Sequence, residues 1–131
     1  MHTATIRPRL DDLGPVGHIH NTVLPAWFQQ ARQELLDAFY APQTGELPPL
    51  LIKEYTVTFH RELTLTPDVE VSIEVERIGN TSFTLHEFAY QSGELRAESQ
   101  VVYIFVGPDG RPAPIPEDGK VVLNQHKTRG G

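Results

Sequence analysis

The polar residues best suited to chemistry lie in one short segment, residues 17–22, just before a predicted helix. His18 and His20 could exchange protons near neutral pH, because an imidazole ionises in that range. Gly17 gives the backbone freedom to approach a ligand closely. The first N–H groups of a helix have no intrahelical partner, so a polar loop at this position predicts a ligand site at the helix start.

Two side chains outside the segment could support the same chemistry. Asp12 precedes it and could act as a general base on water, although aspartate in such a loop often only bonds its own backbone. Arg32 lies on an otherwise apolar face of the helix, and a buried guanidinium needs a partner. That partner is either a substrate or a structural carboxylate, for which Asp12 and Glu34 are the candidates.

A metal site is the weaker interpretation of the histidines. His18 and His20 form a His-x-His pair, and His60 or His86 could add a ligand. The chain has no cysteine and no His-Glu-x-x-His sequence, so we expect neither a metal nor another cofactor. Hydrogen-bonded loop histidines are the expected state, with a general-base role for His20 as the alternative.

One long helix must position these groups. Thr22 is the predicted N-cap, because Pro25 is then the third helical residue, where a missing N–H costs no hydrogen bond. The helix should end near Tyr40, since Pro42 disfavours helical geometry in the residue before it. Apolar residues recur every three or four positions and predict one buried face: Leu24, Trp27, Phe28, Ala31, Leu35, Ala38 and Phe39.

The remaining segments predict strands. Thr3 to Leu10 begins with β-branched residues, and Pro8 confines this strand to an edge or ends it early. Four more strands are predicted at 50–63, 69–76, 82–90 and 95–106. The last should be interior because it is apolar, and the tail after about residue 120 should be flexible. The result is an α+β fold with one long central helix wrapped by a curved antiparallel sheet of about five strands.

Composition limits the class of protein. A chain of 131 residues fits one domain, residues 1–131, with its own core. The absence of cysteine and of an apolar N-terminal run predicts a cytoplasmic protein without a signal peptide. No run approaches the ~20 apolar residues of a membrane span. The net charge of −6 argues against a nucleic-acid partner.

The order of elements resembles the hot-dog fold, and the motifs resemble the 4-hydroxybenzoyl-CoA thioesterase family of acyl-CoA thioesterases. The matching residues are Gly-His-Ile-His-Asn at 17–21, Trp-Phe at 27–28, Ala-Arg at 31–32, Gly-Asn-Thr-Ser-Phe at 79–83 and Pro-Ile-Pro-Glu at 114–117. The resemblance covers roughly residues 5 to 120.

This resemblance implies hydrolysis of an acyl-CoA or acyl-carrier-protein thioester by a homodimer or homotetramer, with the site at the dimer interface. It also implies that the backbone N–H of Asn21 polarises the thioester carbonyl. Thr81 and Ser82 would reach the substrate from the partner subunit. The implied substrate-binding residues are Gly17, His18, His20, Gln29, Thr81 and Ser82.

One position departs from the family. The family carries Asp-x-Asp-x-x-Gly before the helix, and its second aspartate is catalytic, whereas this chain has Gly14 there. In one interpretation, Asp12 or Asp11 swings in as the base. In another, Arg32 holds the thioester and no carboxylate is used.

Under that second interpretation, Gln29 or His20 orders the attacking water. Two alternatives to hydrolysis stay open. The site could bind an acyl thioester without turning it over, which Gly14 would explain. A hot-dog dehydratase is the other alternative, although it needs a histidine and an acid placed differently.

Overall fold

The computed structural model describes residues 1–40 and 50–128. Seven helices and strands lie in these ranges, together with a short 3-10 turn at Leu10–Asp12. They are β1 His2–Ile6, α1 Leu24–Tyr40, β2 Leu50–Phe59, β3 Val69–Ile78, β4 Ser82–Gln91, β5 Glu94–Phe105 and α2 Glu117–Gln125. α1 extends to Tyr40, the last residue described before the gap, and its predicted end lies at that boundary.

The five strands form one antiparallel sheet in the order β1-β3-β4-β5-β2. β1 lies at an edge and stops at Ile6, two residues before Pro8, as the proline predicts. β5 lies between β4 and β2, which confirms its predicted interior position. β2 forms the opposite edge and pairs only with β5 in the described sheet.

The core lies between α1 and one face of the sheet. Alternate residues of β3, Val69, Val71, Ile73 and Val75, are fully buried, as strand alternation requires. Six residues of the predicted apolar face of α1 belong to one buried cluster with these β3 residues and with residues of β4 and β5: Leu24, Trp27, Phe28, Ala31, Leu35 and Phe39. This helix therefore holds its N-terminus, and the loop before it, in a fixed place over the sheet.

The turn between β4 and β5 uses two left-handed residues. Ser92 has φ 56° and Gly93 has φ 73°, which is the pattern of a type I′ hairpin turn. The predicted Ser-Gly turn is thus confirmed, and it aligns the two central strands.

The chain after Pro116 corrects two predictions. A flexible tail was predicted after about residue 120, and α1 was predicted to be the one helix of the fold. Residues Glu117–Gln125 form α2, in which Gly119 and Leu123 are buried. Glu117 and Asp118 suit the positive end of the helix dipole. The chain then bonds β3, because Val75 N–H donates to the His126 carbonyl at 2.9 Å. Neither α1 nor α2 is long and apolar enough to cross a membrane, and the described residues contain no other α-helix.

Gly119→Ala is expected to lower the free energy of unfolding by about 1–3 kcal/mol. A methyl group on Gly119 would lie 2.5 Å from Phe39 Cζ, and that ring is itself buried against Phe83. Urea unfolding of both chains measures the difference. Val121→Ala, on the exposed side of the same helix, is the control, and an equal loss in it would contradict the steric explanation.

Candidate active site

Two segments that are far apart in sequence line one open cleft of about 520 Å³. One is the loop before α1, and the other is the end of β2 with the residues after it. The Ile19 N–H donates to the Leu63 carbonyl at 2.8 Å and ties the segments together. The cleft is within the usual size of a small-molecule site, and its lining includes Gly14, His18, His20, Asn21, Phe59 and Glu62.

The loop turns sharply before it reaches the helix. The Gly14 N–H donates to the His18 carbonyl at 2.7 Å, and the Gly17 N–H donates to the Gly14 carbonyl at 3.1 Å. Gly17 has φ 84°, a left-handed conformation that favours glycine. Its role in this structure is to let the loop turn, and it is not among the residues that line the cleft.

The helix start differs from the predicted cap. The Trp27 N–H donates to the Val23 carbonyl, so Val23 is the capping residue and Pro25 is the second residue of α1. The Thr22 hydroxyl lies 2.7 Å from His20 Nδ1 and bonds that ring. The prediction that Thr22 caps the helix through its hydroxyl was therefore wrong, because the neighbouring imidazole takes that bond.

Backbone donors at this helix start are available to a ligand. Within residues 1–40 and 50–128, the N–H groups of Asn21 and Leu24 donate to no protein acceptor. Both residues line the cleft. Leu24 is fully buried, whereas Asn21 is exposed in the turn before the helix. The Asn21 N–H can donate to a carbonyl oxygen, and the nearby helix N-terminus favours negative charge there, so the cleft can bind an acyl group through its oxygen.

The two loop histidines have different partners. His18 Nδ1 is buried and lies 3.0 Å from Glu62 Oε2, the carboxylate across the cleft, but it makes no hydrogen bond to any described residue. His20 Nδ1 accepts the Thr22 N–H at 3.2 Å. The structure thus brings both predicted histidines to the cleft and adds Glu62 opposite them.

Asp12 has a structural role in the described contacts. Its Oδ2 accepts the Arg9 N–H at 2.8 Å, which caps the 3-10 turn. The side chain is buried and does not line the cleft. These contacts account for the presence of Asp12 without a catalytic role. Asp11 is exposed on the same turn.

Arg32 is also enclosed by protein. Its Nε and Nη2 donate to the two oxygens of Glu87 at 2.8 and 3.0 Å. Burial alone would lower the pKa of Arg32, but the hydrogen bonds and charge of Glu87 raise it above its ordinary value. Further bonds reach Tyr103, Tyr55 and, on the Glu87 side, Ser99.

The structural partner of Arg32 is therefore Glu87. Asp12 and Glu34, the candidates proposed from the sequence, make other contacts, with Arg9 and His2 respectively. Glu87 occupies a core-facing position of β4, in the same row as Leu85 and Ala89. An acid in a mostly apolar row, which also holds Gln91, was the sequence signal for this pair.

Three predicted substrate residues lie away from the cleft of their own chain. Gln29 is exposed on α1. Thr81 and Ser82 lie at the start of β4, where Ser82 pairs with Ile104, whereas the cleft lies beside Ala97. Ala97 and Ile104 are seven positions apart along β5, which corresponds to about 24 Å at ~3.4 Å per residue.

The sequence interpretation considered His60 and Arg61 singly but did not predict the cleft wall that they form with Phe59 and Glu62. This segment was assigned to a continuous strand, whereas β2 ends at Phe59. His60 points to a different carboxylate, Glu98, which it shares with His86. Hydrogen bonds from His60 and then His86 lower the pKa of Glu98 below its ordinary value. No group of three metal-ligating side chains occurs among the described residues.

Comparison with known proteins identifies the family. The sequence model of the thioesterase-like superfamily matches residues 8–124. A structure described as a predicted thioesterase from Bacillus stearothermophilus is 36% identical, with a TM-score of 0.90, and the match covers 99% of this chain and 98% of that one. None of the curated proteins compared with the chain matches it.

Two more distant structures share the fold. A Thermus thermophilus thioesterase complexed with coenzyme A and Zn is 24% identical, with a TM-score of 0.82 and coverage of 93% and 96%. The PA5185 protein of Pseudomonas aeruginosa is 20% identical, with a TM-score of 0.84 and coverage of 100% and 94%. The chain therefore belongs to the thioesterase-like superfamily and has the hot-dog fold that its motifs predict.

Proposed function

We propose that the protein hydrolyses an acyl thioester of coenzyme A or of an acyl carrier protein. The observation that carries this proposal is the free N–H of Asn21 in the turn that leads into α1, in a cleft lined by both apolar and ionisable side chains. Family membership supports thioester hydrolysis as the reaction class.

The geometry suits the charge that develops in this reaction. Attack of water on a thioester moves negative charge to the carbonyl oxygen. Backbone donors held in place by the fold stabilise that oxyanion without having to reorganise, and one such donor contributes about 3–4 kcal/mol in other enzymes. Phe59, which lines the cleft and is exposed, supplies apolar surface for the acyl group.

Coenzyme A is a chemically reasonable thiol carrier. The Thermus thermophilus relative was solved with coenzyme A, which supports the same ligand here. Arg61 lines the rim of the cleft and is largely exposed. It is a candidate to contact phosphate groups, although Glu94 already pairs with it at 3.0 Å.

Thiol release from a panel of acyl-CoAs tests the proposal. A thiol-reactive dye reports each turnover, and the protein contributes no background because it has no cysteine. Hydrolysis of any member establishes the activity. A thioester that binds and stays intact for hours would instead identify a binding module, which Gly14 at the usual aspartate position favours as the second candidate.

The proposed site also needs a second subunit. β2 is an edge strand in the described sheet, and several of its apolar residues are 37–55% exposed: Leu51, Ile52, Tyr55 and Phe59. Pairing of two β2 strands across a two-fold axis would continue the sheet and cover this edge. The far end of one sheet would then approach the cleft of the other, bringing Thr81 and Ser82 of the partner subunit toward the substrate.

Replacing Leu51 and Ile52 together by lysine is expected to convert the assembly to monomers of 14.7 kDa and to lower turnover by at least about tenfold. Two lysine side chains would place unpaired charges on the strand edge that the pairing covers. Sedimentation velocity gives the mass, and thiol release gives the rate. Val121→Lys, an exposed change on α2, is the control; a fully active monomer would contradict the shared site.

A further inference from the structure

We propose that His18 and Glu62 form the general base that activates the hydrolytic water. This inference rests on the proposed thioester hydrolysis, and it assigns the step for which Gly14 leaves no carboxylate. Both residues line the cleft that holds the free Asn21 N–H.

The backbone fixes the two side chains opposite each other. Ile19 and Leu63, the residues that follow His18 and Glu62, are joined by an N–H to carbonyl bond of 2.8 Å. Arg96 Nη1 donates to the Glu62 carbonyl at 2.6 Å. The carboxylate is therefore presented from an anchored segment, and it lies 3.0 Å from His18 Nδ1.

A nearby carboxylate favours one position for the imidazole proton. Within the described ranges, Glu62 is the only carboxylate within 4 Å of His18 Nδ1, and Nδ1 makes no hydrogen bond to any described residue. Because a carboxylate only accepts, closing a hydrogen bond between the pair requires the proton of the neutral ring on Nδ1 and leaves a lone pair on Nε2. Nδ1 is buried while 39% of the side chain is exposed, so the exposed part of the ring includes the Nε2 side.

His20 has the opposite arrangement. Its Nδ1 accepts the Thr22 backbone N–H, and a backbone N–H can only donate. The lone pair of neutral His20 is therefore used on Nδ1, and its proton is on Nε2. His20 is suited to donate a hydrogen bond in the cleft, whereas His18 is suited to accept a proton.

The reaction then balances without a further group. His18 Nε2 removes a proton from water as the water oxygen bonds to the thioester carbon, and the oxyanion accepts the Asn21 N–H. The intermediate collapses, the C–S bond breaks, and protonated His18 returns the proton to the leaving sulfur. The products are a carboxylic acid and a free thiol, and Glu62 stabilises the imidazolium between the two steps.

The experiment compares two variants with a matched pair elsewhere in the chain. His18→Ala should lower kcat about 10²–10³-fold, and Glu62→Gln should lower it about tenfold, because glutamine keeps an acceptor but loses the charge. Binding of a non-hydrolysable thioether analogue should change less than about threefold. Added imidazole should restore part of the rate of His18→Ala.

The control pair is His2 and Glu34, whose Nε2 to Oε2 distance of 2.9 Å and partial exposure resemble those of the proposed pair. His2→Ala and Glu34→Gln should keep the wild-type rate, since both lie away from the cleft lining. Circular dichroism establishes that each variant is folded.

The outcomes separate this inference from the proposed function. Wild-type turnover that persists in both His18→Ala and Glu62→Gln overturns the base assignment and leaves the hydrolase proposal standing. A loss confined to analogue binding, with kcat unchanged, overturns it equally. No turnover by the wild-type chain on any thioester overturns both. A loss of kcat that imidazole restores supports the assignment.

Discussion

Arg32→Met is expected to lower the free energy of unfolding by about 3–5 kcal/mol while leaving kcat/KM per folded molecule unchanged. The guanidinium makes two hydrogen bonds to Glu87 in a fully buried pair. Methionine fills much of the same volume but leaves a buried carboxylate without its cation. The Ser99 hydroxyl would still donate to it, so part of the network would survive.

Equilibrium urea unfolding measures this effect. Arg32→Met combined with Glu87→Leu should recover most of the loss, because an apolar pair of similar volume leaves no buried charge. Arg77→Met, which removes an exposed arginine of β3, is the control and should change stability by less than about 0.5 kcal/mol. A stable variant that has lost turnover would instead restore the interpretation in which Arg32 holds the thioester.

The same variant has an expected pH dependence. Burial raises the pKa of Glu87, and the hydrogen bond from Arg32 opposes that rise. Without Arg32 the carboxyl is more readily protonated in the folded state than in the unfolded state. The destabilisation should therefore shrink as the pH falls from about 8 to about 5, because the folded state then binds the proton more tightly.

Local patterns predicted most of the fold. The three-to-four spacing of apolar residues in α1 and the strict alternation in β3 each depend on one buried face, and such periods can be read without tertiary information. The hairpin at Ser92 and Gly93 carries its own turn chemistry. α2 was missed because its nine residues are weakly patterned, and burial of Leu123 against the core stabilises it.

The sequence predicted only one side of the candidate site, the loop before α1. The loop and helix start are contiguous in sequence, so their ligand-binding potential could be recognised from residues 17–22. Glu62 and Glu87 reach their partners across 44 and 55 residues, through strand order and register that no local pattern contains. Glu87 could have been suspected from its place in an apolar row, but Glu62 follows a strand end that only the structure locates.

Gly14→Asp is expected to raise kcat/KM, by about tenfold in the wild-type chain and by about 10–100-fold in the His18→Ala background. Gly14 lines the cleft, and its φ is not in the left-handed region. A Cβ there would lie 3.3 Å from His20 Cδ2, so the exposed ring must shift slightly. The new carboxylate would stand at the position where the resemblance to the 4-hydroxybenzoyl-CoA thioesterase family implies a catalytic aspartate.

Thiol release from the best acyl-CoA of the panel measures the gain, and Gly14→Asn, which has the same shape without the charge, is the control. A gain in both variants would show that the side chain acts by reshaping the loop. A lower kcat/KM in Gly14→Asp would show that this loop has been rebuilt around His18 and Glu62. The physical cause would be the new carboxylate near His20, which would disturb the hydrogen bond from the Thr22 N–H that orders the His20 ring.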